Sequence, residues 1–219
     1  MPNTAHNMRT LIFTTPSTGS TEFKSKLCKR NNYDINFGEI LNERTFKKKL
    51  SKNIINKKEW QEFCEEHHTL DYTEQLAQFQ IKRFTESKNC IAKLFPDHLH
   101  LLSIDLISKY CSKLCDVADK IFYLQRENKK EQIVSRSVRF INGVPDKKLM
   151  YTYKGDLSND ILNENFEHYK KNINIIEKIF KKYPGDVITL EKDVEDTTFQ
   201  NRYVYKGDWQ LPEELPLLS

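Results

Sequence analysis

Short apolar runs alternate with longer amphipathic stretches along the chain. The first run, residues 10–14, combines β-branched and aromatic side chains and is followed at once by Pro16 and Gly19. Beyond the glycine, Phe23 and Leu27 stand at helical spacing. Because proline and glycine interrupt regular structure, this order predicts a strand, a tight loop and a helix.

A lysine-rich segment, residues 43–66, follows this first unit. Its apolar side chains recur at roughly helical intervals, at Phe46, Leu50, Ile54, Trp60 and Phe63. An apolar stripe opposite a charged face is typical of helices on the outside of a domain, so we expect amphipathic helices here. Its lysines then form a solvated face rather than a binding patch.

Three further apolar runs predict strands, and each lies next to a helical stretch. Residues 89–95 precede a predicted helix over 99–115, residues 120–124 precede a predicted helix that ends near Asn142 and Gly143, and residues 187–190 follow a predicted helix over 165–182. We separate strands from helices by length and by the prolines and glycines beside them.

The alternation of strands and helices predicts the fold class. It is typical of parallel βαβ units, so we expect a three-layer α/β/α architecture with a central, mainly parallel sheet. At 219 residues the chain has the usual size of one domain, and we expect a single domain over residues 1–219. Ligands of such sheets bind beyond the carboxyl ends of the strands.

Composition and charge limit the classes of partner that we expect. The formal charge of +4 is the small difference between 35 basic and 31 acidic residues. Dedicated nucleic-acid binders usually carry a one-sided basic excess, so we do not expect a nucleic-acid partner. A small anionic ligand is compatible with this charge. The apolar runs are far too short to span a bilayer, so we expect no membrane span.

The five cysteines form an odd set without a CxxC pair, and we expect no secretory leader ahead of them. A disulfide framework is therefore not expected, and a reducing cytoplasm fits best. Cys111 and Cys115 lie four residues apart on a predicted helix, but no histidine stands at ligand spacing. We interpret them as small buried side chains and expect no metal site.

The loop Thr14-Thr15-Pro16-Ser17-Thr18-Gly19-Ser20-Thr21 is the strongest candidate for chemistry. Its glycine lets the backbone approach an anion, and hydroxyls stand beside the free amides of a helix start. It is not a Walker A loop, because Ser20 stands where that motif has lysine. On the loop alone, an ordinary strand-to-helix turn with an N-cap stays open as the alternative.

In three separate blocks, the chain resembles the sulfotransferase superfamily. The order Thr-Pro-x-x-Gly-Ser-Thr after the first strand resembles the loop that holds the 5′-phosphosulfate of the donor. Residues 122–135 resemble the strand, arginine and helix that hold its 3′-phosphate, and residues 166–193 resemble the helix, strand and acidic segment that close the core. The resemblance is closest to the bacterial glycolipid-type branch and implies a P-loop-like fold.

This resemblance implies a role for each candidate residue. The donor 3′-phosphoadenosine-5′-phosphosulfate (PAPS) would be bound at its 5′ end by Ser17, Thr18, Gly19, Ser20 and Thr21, and at its 3′ phosphate by Arg126 and Ser135. Glu39 matches the glutamate proposed to accept the proton of the acceptor, and Lys93 matches a lysine that points into the site. His98 is a reserve candidate.

The structural alternatives are a solvent-facing Glu39 at a turn and an edge-strand Lys93 that extends to water. For Arg126 alone, the alternative is a surface salt bridge. One position departs from the family: Ser17 stands where it usually has lysine or arginine. Either Lys93 or another basic residue such as Lys24 supplies the missing positive charge, or the protein binds the nucleotide and transfers sulfate poorly.

We therefore expect a cytoplasmic enzyme that transfers a sulfuryl group from PAPS to an acceptor hydroxyl and releases 3′,5′-adenosine diphosphate. Carbohydrate, lipid and peptide acceptors all stay open, because acceptor pockets are shaped by variable segments, which we expect here to be residues 45–88 and 146–165. The first alternative is a non-catalytic nucleotide- or partner-binding protein that retains the fold. The second, a kinase-like phosphoryl transferase, is disfavoured by the missing loop lysine and by the lack of a magnesium carboxylate at the loop.

Overall fold

A parallel five-stranded sheet with helices on both faces forms the centre of the protein. The computed structural model describes residues 8–16, 18–99, 101–141, 157–193, 208–215 and 218. Within these ranges the strands are β1 (Arg9–Thr14), β2 (Ile35–Glu39), β3 (Cys90–Leu94), β4 (Lys120–Gln125) and β5 (Asp186–Thr189).

The helices of the described ranges are α1 (Ser20–Asn31), α2 (Glu43–Ser51), α3 (Lys57–Glu66), α4 (Tyr72–Glu86), α5 (Ile104–Val117), α6 (Lys129–Ile141), α7 (Asn159–Lys182) and the single turn α8 (Leu190–Asp193). A 3₁₀ turn, Pro96–Leu99, joins β3 to the segment before α5. None of the helices in this part of the chain is both long and apolar enough to cross a membrane.

The strand order is β2-β3-β1-β4-β5, and every neighbouring pair is parallel. Successive side chains of a strand point to opposite faces of the sheet. On β1, Leu11 and Phe13 belong to the core cluster that includes residues of α4, α5 and α7, whereas Ile12 packs with Phe23 of α1. Both faces are therefore covered, and the predicted three-layer α/β/α architecture is confirmed.

The strand β2 was missed by the sequence prediction. Its sequence, Ile35 to Glu39, contains asparagine and glycine and has one fully buried side chain, Phe37. A short edge strand of this kind carries little apolar signal, since only one of its sides pairs with a neighbour. Glu39 is consequently the last residue of a strand rather than part of a turn.

Several predicted helices have different bounds in the structure. The segment 43–66 forms two helices, α2 and α3, each started by an asparagine whose side chain accepts from backbone N–H groups. The helix expected over 99–115 begins only at Ile104, and that expected over 165–182 begins at Asn159, each after a serine cap. The predicted helix end at Asn142 and Gly143 lies outside the described residues.

A cluster of aromatic rings holds α2, α3 and α4 together beside the edge of the sheet. The rings of Phe46 and Trp60 have centroids 4.9 Å apart, and Phe79 lies 5.0 Å from Trp60. Edge-to-face pairs of this kind add to the free energy that burial of the rings already supplies. The cluster fixes the position of α2, which faces the end of β2.

All five cysteines are free thiols. Cys111 and Cys115 are buried in the main core cluster, as the sequence predicted. Desolvation raises the pKa of Cys111 to about 12, so its thiol stays protonated at neutral pH. These two side chains act as small apolar groups.

Gly185, between α7 and β5, lies so close to Ile121 of β4 that a larger side chain at this position is a test of the packing. A Cβ atom at this position would lie 2.5 Å from the carbonyl oxygen of Ile121 in β4, an atom of the sheet that cannot move aside cheaply. We expect Gly185→Ala to lower the free energy of unfolding by about 1–3 kcal/mol. Urea unfolding measures this change. The exposed Lys181→Ala, at the end of α7, should change it by less than about 0.5 kcal/mol.

Candidate functional site

The loop after β1 leads directly into α1, and Gly19 makes this junction. Gly19 has φ +82° and ψ 12°, the left-handed region that favours glycine, and it occupies the N-cap of α1 without a side chain to cap the helix. The backbone N–H groups of Ser20 and Thr21 donate to no described residue. Free amides at a helix start attract anions, so this end of β1 can hold a phosphate or sulfate group.

Hydrogen bonds inside the loop fix its shape. The hydroxyl of Thr18, which is 1% exposed, donates to the carbonyl oxygen of Thr15 at 2.9 Å and contacts the hydroxyl of Thr14. From α6, Gln132 Nε2 donates to Thr15 Oγ1 at 2.6 Å and to the carbonyl oxygen of Pro16 at 2.8 Å. The Thr18 side chain, expected to face a ligand, therefore serves the loop itself.

Lys93 lies on β3, an interior strand, and its side chain is 5% exposed. The ammonium Nζ is 3.1 Å from Thr21 Oγ1 at the start of α1 and 3.4 Å from Glu39 Oε1 at the end of β2. The edge-strand alternative for this lysine is therefore wrong. A buried ammonium needs oxygen partners, and here they come from the loop–helix junction and from a carboxylate.

Glu39 also faces the 3₁₀ turn that follows β3. Its Oε2 lies 3.7 Å from His98 Nε2. Asn42 caps α2 through Oδ1 and places its Nδ2 3.0 Å from the same ring nitrogen. Burial lowers the pKa of His98, although Asp97 and Glu39 oppose this, and a neutral ring that accepts from Asn42 carries its proton on Nδ1.

The arrangement around Glu39 contains residues that sequence reasoning missed or held in reserve. Asn42 was not singled out, although an asparagine three residues before Thr45 is a recognisable N-cap pattern. His98 was only a reserve candidate. Its buried Nδ1 has no hydrogen-bond partner among the described residues.

Arg126 follows β4 directly, and its side chain is 4% exposed. Its Nε donates to Glu191 Oε1 at 2.9 Å, and its Nη2 donates to Glu131 Oε2 at 3.0 Å. Glu191 Oε2 also accepts from the backbone N–H of Glu127 at 2.9 Å. Burial opposes ionisation of Glu191, yet the bonds from Glu127 and Arg126 hold its pKa below the ordinary value. The sequence alone did not reveal these carboxylate partners.

Ser135 is buried on α6, four residues after Glu131 and therefore on the same helix face. Its hydroxyl forms no hydrogen bond with a described residue. Glu131 and Gln132 are neighbours in α6, so this helix contacts both Arg126 and the loop after β1. Helix α6 therefore connects the loop and the arginine that are predicted to bind the two ends of one donor molecule.

Of the predicted site residues, the structure gathers Gly19, Ser20, Thr21, Lys93 and Glu39 at the carboxyl ends of β1, β2 and β3. Thr18 is buried within the loop and bonds to Thr15. Arg126 binds Glu131 of α6, and Ser135 lies one turn farther along that helix. Ser17 lies outside the described residues.

Lys24 and Lys93 are the two basic residues that could supply the charge that Ser17 lacks. Lys24, on α1, directs its Nζ to Asn36 Oδ1 at 3.0 Å, and burial lowers its pKa. Lys93 is the one of the two that contacts Thr21 at the helix start. The geometry therefore favours Lys93 for this task.

No protein-family model matches the chain, and no curated protein shows significant similarity to it. Among the described residues, no group of three or more histidine, cysteine, aspartate or glutamate side chains is placed to hold a metal ion. The function is therefore inferred from the residues and their geometry.

Gln132 holds the loop after β1 through two hydrogen bonds, so replacing its side chain tests how much they stabilise the loop. We expect Gln132→Ala to lower the free energy of unfolding by about 1–3 kcal/mol, because Thr15 and Pro16 lose a buried donor. Urea unfolding followed by circular dichroism measures the change. The exposed Gln61→Ala on α3 is the control, and equal effects of the two substitutions would contradict this role of Gln132.

Proposed function

We propose that this protein transfers a sulfuryl group from PAPS to an acceptor hydroxyl. The observation that carries the proposal is the position of the Lys93 ammonium, which lies within 3.4 Å of both Thr21 Oγ1 and Glu39 Oε1. A helix start that attracts anions, a buried cation and a carboxylate then meet at one point. Sulfuryl transfer requires one group of each kind.

The residues at the loop fit the 5′ end of the donor. PAPS supplies the activated sulfuryl group when it is bound. Free amides at Ser20 and Thr21 would hold the phosphosulfate oxygens, Gly19 leaves room for close approach, and Thr18 keeps the loop in shape. Ser17 belongs to the same loop segment and is proposed as part of the cradle on sequence grounds.

Lys93 and Glu39 would divide the chemical work. As the acceptor oxygen forms its bond to sulfur, the bond from sulfur to the bridging oxygen breaks, and 3′,5′-adenosine diphosphate leaves. Lys93 would stabilise the negative charge that develops on the bridging oxygen. Glu39 would take the proton of the acceptor hydroxyl, and in the structure its second oxygen faces His98 rather than Lys93.

Arg126 and Ser135 are proposed to bind the 3′ phosphate. A guanidinium and a nearby hydroxyl suit a terminal phosphate. In the structure the guanidinium donates to Glu131 and Glu191, so the phosphate would have to replace at least one of these carboxylates. The affinity for the donor is consequently reduced by the free energy of the ion pairs that it breaks.

The uncharged Ser17 favours the alternative function, a nucleotide- or partner-binding protein without catalysis, because the loop then lacks a cation beside the leaving phosphate. The ion pairs of Arg126 favour the partner-binding form of this alternative, because two carboxylates already occupy the arginine. Binding of 3′,5′-adenosine diphosphate without any transfer from PAPS would distinguish this alternative from the enzyme.

Calorimetric titration with 3′,5′-adenosine diphosphate is the first test of the donor site. We expect micromolar binding to the wild type, about −8 kcal/mol. Arg126→Ala and Ser135→Ala should each weaken it, the former at least tenfold, because each removes a partner of the 3′ phosphate. The exposed Arg30→Ala on α1 should bind like the wild type. Absence of binding to the folded wild type would refute the donor site.

Transfer of labelled sulfate from PAPS tests the two catalytic assignments. The acceptors in the assay are a monosaccharide, a long-chain alcohol and a tyrosyl peptide. Glu39→Gln and Lys93→Met should each slow transfer to a reactive acceptor by about 100-fold or more, because a proton acceptor or a stabilising charge is lost. Binding of 3′,5′-adenosine diphosphate should change far less.

The exposed Glu43→Gln on α2 is the matched control for the carboxylate and should transfer at the wild-type rate. Equal rates for Glu39→Gln and Glu43→Gln would remove Glu39 from the mechanism.

The cytoplasmic location stays a prediction, and the five free cysteines support it.

A further inference from the structure

A β-bulge in β2 determines which residue of that strand stands beside Lys93. Asn36 pairs with Ile91, but the next pairs are Gly38 with Ala92 and Glu39 with Lys93. One extra residue, Phe37, therefore lies in β2 between the regular pairs. In a regular strand Gly38 would pair with Lys93, and Glu39 would move on to Leu94 and to the opposite face of the sheet.

Local hydrogen bonding favours the bulge. Gly38 has φ +70°, a backbone conformation that other residues adopt at a cost. Its N–H donates to Asn36 Oδ1 at 2.9 Å, and this short loop of chain encloses the extra residue. Lys24 Nζ, from α1, reaches the same Asn36 oxygen at 3.0 Å.

Lys49 secures the bulge from the other side. This lysine projects from α2, which the aromatic cluster holds beside the sheet. Its Nζ donates to the carbonyl oxygens of Asn36 at 2.7 Å and of Phe37 at 2.6 Å. These carbonyls belong to the two peptide groups that flank Phe37. One ammonium therefore binds the backbone on both sides of the extra residue.

The surroundings of Lys49 show that this contact is costly. Burial, together with the charges of Arg83 on α4 and Lys24 on α1, lowers its pKa to about 8. No carboxylate pairs with it among the described residues, and its ammonium lies 5.8 Å from the centroid of the Phe37 ring. A surface lysine would avoid these cations, so its two hydrogen bonds are the reason for its position.

We propose that Lys49 is a positioning residue that holds the β2 bulge and thereby keeps Glu39 opposite Lys93. The catalytic meaning of this arrangement rests on the proposed function. The positioning itself does not, because it concerns only the contact between Glu39 and Lys93, two side chains of the protein. Lys49 would touch neither donor nor acceptor.

A double-mutant cycle tests the positioning without activity. Urea unfolding of the wild type, Glu39→Gln, Lys93→Met and the double variant gives the coupling between Glu39 and Lys93. The same cycle is then measured with Lys49→Met. We expect the coupling to disappear with Lys49→Met and to persist with Lys49→Arg, whose guanidinium also donates twice. A merely structural lysine would lower stability without changing the coupling.

Two further variants complete this experiment. Lys48→Met, at the exposed neighbour on α2, should leave the coupling unchanged. Asn36→Ala removes the bond to the Gly38 N–H at an exposed position and should reduce the coupling while the protein still folds. An undiminished coupling in folded Lys49→Met, or in Asn36→Ala if Lys49→Met does not fold, would overturn the proposal.

The pH dependence of sulfate transfer is the second readout. Below about pH 8 Lys49 is charged and grips both carbonyls, and above it the neutral amine donates more weakly. We expect wild-type transfer to fall as pH rises through this value and the Lys49→Arg profile to extend to higher pH. Superimposable profiles would overturn the proposal. Complete lack of transfer would instead refute the proposed function and leave the coupling result standing.

Discussion

The arrangement of the site depends on one buried charge. Lys93 stands on an interior strand of the sheet and its side chain is 5% exposed, so its ammonium requires oxygen partners within the protein. Thr21 provides one at the start of α1, and Glu39 provides another at the end of β2. A requirement of burial thus brings a helix start that attracts anions next to a carboxylate.

Helix α6 couples the remaining parts. Gln132 fixes the loop after β1, and its neighbour Glu131 binds Arg126 beyond β4. Farther along the helix, Arg136 pairs with Asp97 at 3.1 Å and so reaches the 3₁₀ turn that carries His98. A movement of α6 would therefore affect the loop, the arginine and the turn together.

Arg126 and Lys49 are held by different kinds of partner. Within the described ranges, Arg126 has two carboxylate partners, whereas Lys49 binds two carbonyl oxygens, pairs with no carboxylate and lies near other cations. The first arrangement is stable until an anion of higher charge competes for the guanidinium. The second depends on keeping a proton that burial makes easier to lose. The contacts of Arg126 and those of Lys49 are therefore expected to respond to different conditions.

The sequence by itself determined the alternation of strands and helices, the loop at Gly19 and the buried character of Cys111, because these follow from apolar periodicity and from the backbone freedom of glycine. It also identified Lys93 and Glu39 as candidates, but not their contact. Tertiary structure alone decided that contact, the bulge at Phe37 and the pairing of Arg126 with Glu191, which lie 65 residues apart. The physical reason is that the register of an edge strand and the partner of a buried charge depend on elements distant in sequence, which no local pattern encodes.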